Sequence, residues 1–286
     1  MLRKPEWLKV KLPQREEYSN VKKILREERL HTVCVEAKCP NLGKCWDSGT
    51  ATFMILGDTC TRACRFCATK TGNPKGVVDR SEPDRLVDAV KRMGLDYVVI
   101  TSVDRDDLDD LGATIFVKTV ELLRKSNSQI GIEVLTPDFG GREDLINEVL
   151  NSGIDVFAHN IEVVRRISPK IRDARADYDL SMNVLKIAAK NRNVIVKSGI
   201  MVGIGETDEE VYRTIEEVAT AGVKIFTIGQ YLQPTKKNIE VDRYVTPETF
   251  KSYEERGKEV GINVVSGPLV RSSYMAKEVY NKVKNA

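Results

Sequence analysis

Residues 97–138 read YVVITSVDRDDLDDLGATIFVKTVELLRKSNSQIGIEVLTPD. Two continuous apolar runs, Tyr97 to Ser102 and Gly131 to Pro137, flank a stretch of helical periodicity from Gly112 to Ser126. Strands covered on both faces read as unbroken apolar runs, so the spacing is that of one β-α-β unit. Both runs end in polar residues: Thr101, Ser102, Asp104 and Arg105 after the first, Thr136 and Asp138 after the second, with Glu133 inside it.

The same rhythm extends in both directions. Strands are predicted over 51–56, 155–162, 194–203 and 224–232, and helices over 81–94, 142–153, 178–190, 207–222 and 246–261. Ser81 and Thr246 precede Pro-bearing first turns, Gly94 and Gly261 mark stops, and Thr207 with Glu210 forms a capping box. A strand-like NVV and a last helix close the chain. Ahead of the series, SNVKKILREERL (19–30) reads as a helix capped by Ser19 or Asn20. Strand and helix alternate about six times, which fits an open doubly wound sheet or a curved barrel. Polar strand ends recur at His159, Asn160, Glu162, Lys197, Ser198, Gln230 and Tyr231. A barrel gathers such positions at one mouth, whereas an open sheet gathers them only at its switch point. The expected fold is therefore α/β, a partial (β/α)6 TIM-like barrel over 51–262. An N-terminal extension over 1–50 and a C-terminal extension over 263–286 flank it.

Composition narrows the function classes. The 286 residues are 41% apolar and 30% charged, with a net charge of +3. That balance permits a full core and lacks the concentrated basic face of a nucleic-acid binder. No stretch reaches the ~18 apolar residues of a membrane helix, and MLRKPEWLKVKLPQREEY has no secretory core. The expected location is the cytoplasm, where disulfides are rare.

All six cysteines fall early: Cys34, Cys39 and Cys45 in CVEAKCPNLGKC, then Cys60, Cys64 and Cys67 in GDTCTRACRFCATK. The spacings are C-x4-C-x5-C and C-x3-C-x2-C. Closed zinc sites want four ligands and disulfides consume pairs, so two triplets suit neither, though His31 leaves a Cys3His zinc site conceivable. A [4Fe–4S] cube held by three thiolates keeps one iron open. That iron can be chelated by a small molecule with an amine and a carboxylate, such as S-adenosylmethionine. Phe66 shields a cluster edge or is an ordinary core aromatic.

C-x3-C-x2-C in a loop after the first strand resembles the radical SAM superfamily, whose fold is a partial β/α barrel. GIMVGIGE (199–206) is similar to that superfamily's G-x-I-x-G-x-x-E, with Met201 in place of Ile, which sets Gly203 and Glu206 near adenine. TSVDRDD (101–107) offers Ser102 and Asp104 to an amine or ribose; as an ordinary loop, its Asp106 or Asp107 would cap the next helix. CVEAKCPN, TCTRACRFC, TSVDRDDL, HNIE, SGIMVGIGETDEE and RSSY stand in the order of the lipoyl synthase family, and the resemblance covers essentially the whole chain. A biotin-synthase-like alternative shares the barrel but not the first triplet or RSSY.

The resemblance implies two [4Fe–4S] clusters. One, on Cys60, Cys64 and Cys67, binds S-adenosylmethionine. The other is auxiliary, on Cys34, Cys39 and Cys45, with Ser273 of RSSY as fourth ligand and Ser272 as fallback. Arg271 stabilises a nearby anion, and Glu133, His159 and Asn160 stand near cofactor or substrate. The implied reaction takes hydrogen from C6 and then C8 of a protein-bound octanoyl chain and inserts a sulfide from the auxiliary cluster at each, consuming that cluster. The implied partners are an octanoylated lipoyl domain or glycine-cleavage H-type carrier protein, an electron donor, and an iron–sulfur carrier that rebuilds the cluster. CATKTGNP departs from the His-Gly run of bacterial forms, so Thr69 and Lys70 receive no role.

Overall fold

The computed structural model describes residues 3–9, 16–47 and 51–285. The chain forms two compact units, Val10–Arg62 with Ala68–Asp155, and Met1–Lys9 with Ala63–Cys67 and Val156–Ala286.

The first unit carries α1 (Glu16–Glu27), β1 (His31–Thr32), α2 (Val33–Glu36), α3 (Leu42–Asp47), β2 (Thr52–Ile55), β3 (Thr59–Cys60), β4 (Lys70–Thr71), α4 (Glu82–Arg92), β5 (Tyr97–Ser102), α5 (Ala113–Ser126), β6 (Gly131–Leu135) and α6 (Glu143–Leu150). Consecutive long strands pair in parallel, Thr52 opposite Val99 and Tyr97 opposite Gly131. The predicted β-α-β unit over 97–138 is therefore present. Its apolar runs are covered on both faces: Phe53, Ile55, Ile100, Ile132 and Val134 are fully buried, and Phe116 of α5 packs edge-on against Phe139. Each such aliphatic side chain contributes about 1.5–3 kcal/mol by leaving water.

The second unit carries β7 (Val156–Ala158), α7 (Ser168–Ile171), α8 (Tyr178–Ala189), β8 (Ile195–Val202), α9 (Asp208–Thr220), β9 (Ile225–Gln230), α10 (Pro247–Glu259), β10 (Asn263–Gly267) and α11 (Ala276–Lys284). Its four strands are also parallel, in the order β7-β8-β9-β10. Thr207 and Glu210 form the predicted capping box of α9, and Thr246 accepts the Thr249 N–H at the start of α10.

Several local expectations are corrected. α1 already runs at Glu16, so Ser19 and Asn20 lie inside it rather than capping it. Residues 10–15 and 48–50, where the predicted N-terminal extension ends, lie outside the described residues. The strand predicted to Glu162 stops at Ala158. His159 still donates its N–H to Lys197 O at 3.0 Å, but the chain then bulges, and Glu162, at φ +68°, rejoins through a bridge to Ile200. That bulge re-aims the HNIE side chains. Ser81 makes no side-chain cap bond, and Asp110, not Asp106 or Asp107, receives the Gly112 and Thr114 N–H groups ahead of α5. Among the described residues no helix is long and apolar enough to cross a membrane.

Candidate functional site

The cysteine loop leaves β2 through Leu56 (φ +68°) and Gly57 (φ +84°), a left-handed turn that leaves backbone N–H groups to be satisfied. Glu82, in the first turn of α4 and 3% exposed, accepts the Leu56 N–H at 2.6 Å. Burial pushes its carboxyl up, against the pull of the Leu56 and Gly57 amides. The loop then forms β3, whose Cys60 pairs in parallel register with Thr71 of β4.

Beyond it, the Arg62 guanidinium is buried among three carboxylates. Nε and Nη2 bond both oxygens of Asp106 (2.9–3.3 Å), Nη1 and Nη2 bond both oxygens of Asp138 (2.5 and 2.9 Å), and Nη1 stands 3.3 Å from Asp104. Cys60 Sγ lies 3.7 Å from Asp104 Oδ2 and accepts the Arg62 backbone N–H at 3.4 Å. Burial raises the Asp104 carboxyl to about 6; Arg62 opposes that rise, and Asp138 and Asp106 add to it. Ser102, at the end of β5, has a buried hydroxyl without a hydrogen-bond partner among the described residues. An orphan hydroxyl and an acidic group beside a thiol are a donor set that fits a polar cationic ligand. Glu133 is buried within β6 and accepts the Tyr97 hydroxyl at 3.0 Å.

The same unit holds Cys34 on α2, Cys39 in the following loop and Cys45 on α3. None of the three is in a disulfide. Burial pushes the Cys34 thiol up, with Cys39 adding to the rise; burial, then Cys34 and Cys39, push Cys45 to about 12. Two desolvated thiols, Cys34 and Cys45, with Cys39 near enough to oppose their ionisation, are a set that a cationic centre would relieve. Trp46, 3% exposed, has a buried Nε1–H with no well-formed hydrogen bond, although its indole favours the Cys34 thiolate. That orphan donor fits an acceptor-rich iron–sulfur group. His31 pairs with Glu36 at 3.5 Å. Among the described residues no group of three or more His, Cys, Asp or Glu side chains is placed to hold a metal ion.

In the second unit, Cys64 Sγ accepts the Asp173 N–H at 3.3 Å, and Asp173 accepts the Ala63 N–H at 2.8 Å. Asn238 Nδ2 donates to Arg65 O and Cys67 O (3.1 and 2.8 Å). Phe66 is half-buried between the two cysteines. At the end of β8, Glu206 accepts the Gly203 and Ile204 N–H groups (2.6 and 2.9 Å), so its carboxylate shapes the glycine turn. Gly203 has φ +92°, and a Cβ there would meet Gln230 Nε2 at 2.1 Å and Arg243 O at 2.4 Å. Gly203→Ala is expected to destabilise the protein by about 1–3 kcal/mol or more, read as a lower urea midpoint.

The strand-end pair His159 and Asn160 is held by two serines. Arg172 Nη1 donates to Ser181 Oγ (3.0 Å), and the same oxygen lies 3.0 Å from His159 Nε2 in hydrogen-bond contact. Asn160 Nδ2 donates to Ser272 Oγ at 2.8 Å, tying HNIE to RSSY. Gly229 of β9 lets the RSSY backbone approach, since a Cβ there would lie 2.1 Å from Val270 O. Arg271 Nη1 donates to Val270 O at 2.6 Å. Ser273 lies in the turn before α11, and Met275, at φ +50° and without a side-chain cap bond, holds the N-cap position.

The structure brings Cys60 to Asp104 and Asn160 to Ser272, and sets Cys34, Cys39 and Cys45 within electrostatic range of one another. The sequence reading missed Arg62, Glu82, Trp46, Asp173 and Asn238. Arg62 and Trp46 adjoin the cysteines, so a polar or aromatic neighbour of each thiol was the available signal. Glu82, Asp173 and Asn238 reach the loop from distant segments and left none.

Residues 54–218 match the radical SAM superfamily, and residues 1–39 match the N-terminal domain of lipoyl synthase of the radical SAM family. In fold, the chain resembles methylornithine synthase (TM-score 0.56, 14% identity, 98% of this chain and 94% of that one). It also resembles HydG, a maturase of the [FeFe]-hydrogenase (TM-score 0.55, 14% identity, 97% and 69%). These likenesses bear out the α/β partial barrel. A curated lipoyl synthase of Francisella tularensis subsp. novicida is 49% identical over 98% of this chain and 86% of its own length. One from Deinococcus radiodurans is 51% identical over 97% and 84%. With that identity sustained across nearly the full length of both partners, the chain belongs to the lipoyl synthase family of the radical SAM superfamily.

Proposed function

We propose that the chain inserts two sulfur atoms, at C6 and C8, into a protein-bound octanoyl-lysine, giving the lipoyl group, and works in the cytoplasm. The observation that carries this reading is a pair of cysteine triplets, none of them in a disulfide, in a chain about half identical to lipoyl synthases over nearly its whole length. Cys60, Cys64 and Cys67 would hold one [4Fe–4S] cluster, and Cys34, Cys39, Cys45 and Ser273 the other. When bound, the first supplies the electron that splits S-adenosylmethionine to a deoxyadenosyl radical, and the second supplies the sulfur.

The remaining work falls to this chain's side chains. Backbone N–H groups of Arg62 and Asp173 point at the sulfurs of Cys60 and Cys64 and favour their thiolates. Ser102 and Asp104 take the polar end of the sulfonium cofactor. Glu206 fixes the Gly203 turn against which adenine packs, and Phe66 excludes water from a cluster edge. Glu133 offers a carboxylate, and His159 an imidazole, to cofactor or substrate. Asn160 engages Ser272, which supports Ser273 as the serine offered to the auxiliary site, with Arg271 as its neighbouring cation. The substrate is an octanoylated lipoyl domain or H-type carrier protein; an electron donor and an iron–sulfur carrier complete the cycle.

The test is anaerobic. Reconstituted protein, reductant, S-adenosylmethionine and an octanoyl-lysine peptide should give a peptide heavier by two sulfurs. A peptide of unchanged mass, with deoxyadenosine formed or not, would contradict the reading.

A further inference from the structure

We propose that Arg62 is a positioning residue that apportions the three carboxylates beside Cys60. It occupies both oxygens of Asp106 and both of Asp138, and so leaves Asp104 to receive the α-ammonium of S-adenosylmethionine. The proposal rests on the functional reading above and deepens it.

The allocation is visible in the bonds. Asp138, 1% exposed, receives two guanidinium nitrogens and the Gly140 N–H at 2.9 Å, so its acceptor sites are engaged within the protein. Asp106 receives Nε and Nη2, and its Oδ2 also accepts the Thr61 hydroxyl at 2.6 Å. Among the described residues the Asp104 carboxylate has only the long 3.3 Å approach of Nη1 and the 3.7 Å contact with Cys60 Sγ. Its side chain is 26% exposed, whereas that of Asp138 is wholly buried. Three carboxylates against one guanidinium leave an acidic excess, and Asp104 is the member with acceptor capacity to spare. A cation bound beside Cys60 has Asp104 Oδ2, 3.7 Å from Sγ, as its carboxylate partner.

Only a planar fork can divide itself this way. Arginine offers five N–H groups in fixed directions and grips two carboxylates bidentately, whereas a lysine ammonium is a point charge. The grip also joins the cysteine loop to the segments after β5 and β6, since Asp106 lies 44 residues and Asp138 76 residues from Arg62. Losing the fork should therefore let the three carboxylates redistribute and move Asp104 relative to Cys60.

The decisive experiment uses reconstituted holoenzyme with Arg62→Lys, and Asp138→Asn as a second variant that keeps the fork but frees one of its edges. Iron content and the melting transition establish that each variant is folded and loaded. S-adenosylmethionine affinity should fall about ten- to a hundredfold in both, as for other residues that orient a metal-site ligand. The hyperfine coupling between the cluster and a heavy-nitrogen amino group of the cofactor should change as well, which a merely structural role would not produce. Wild-type affinity with unchanged coupling in either folded variant would overturn the proposal. Wild-type holoenzyme that binds no S-adenosylmethionine would overturn the functional reading itself, and the proposal with it.

Discussion

Replacing Cys60 with Ala should stop deoxyadenosine formation, a loss of at least about a thousandfold against the acceleration an enzyme supplies. Reconstituted iron should drop by one cluster's worth while the other cluster remains. The expectation follows from where Cys60 sits. It is half-buried on a two-residue strand, next to the carboxylate offered to the cofactor and within reach of a backbone N–H that favours its thiolate. A missing thiolate cannot be replaced by Asp104, whose oxygen lies on the far side of a 3.7 Å contact. Ala at a half-buried position on so short a strand costs little fold stability, so the loss should appear with an unchanged melting curve. Full cofactor cleavage by a folded Cys60→Ala protein would break the assignment of this triplet.

Replacing Cys39 with Ala should separate the two halves of the reaction. Cofactor cleavage should continue while sulfur transfer to the octanoyl peptide falls to background. Cys39 is the cleanest member of its triplet to remove. Cys34 is 6% exposed, so its loss opens a void, and Cys45 lies on α3 next to the buried Trp46. Cys39 sits in the loop between α2 and α3 and is only half-buried. Deoxyadenosine measured beside peptide mass in the same tube reads both halves. Continued sulfur insertion by the variant would contradict an auxiliary cluster on Cys34, Cys39 and Cys45; loss of cleavage as well, in a folded protein, would contradict two separate sites.

Local chemistry made much of this legible in advance. The Thr207–Glu210 capping box spans four residues and forms as read, because both partners share one helical turn. The unbroken apolar run of β5 announced a strand covered on both faces, and it is buried nearly throughout. The cysteine spacings pointed to open-iron chemistry before any geometry was known. What stayed hidden is long-range. Arg62 finds Asp138 across 76 residues, Asn160 finds Ser272 across 112, and Ala63 finds Asp173 across 110. No periodicity encodes such pairs. β1 was missed because two residues, His31 and Thr32, carry no alternation, although they pair antiparallel with Met54 and Phe53. The premature end of β7 was missed because His159 and Asn160 continue an extended pattern, while the bulge that turns them depends on β8.

The central claim is that the protein's own second iron–sulfur group is the sulfur source. Reconstitution with heavy-isotope sulfide, followed by a single turnover in buffer free of sulfide, tests it directly. The account predicts a product carrying heavy sulfur at both C6 and C8, with product not exceeding the number of protein chains. A product carrying light sulfur, or one that accumulates turnover after turnover without cluster repair, would contradict it.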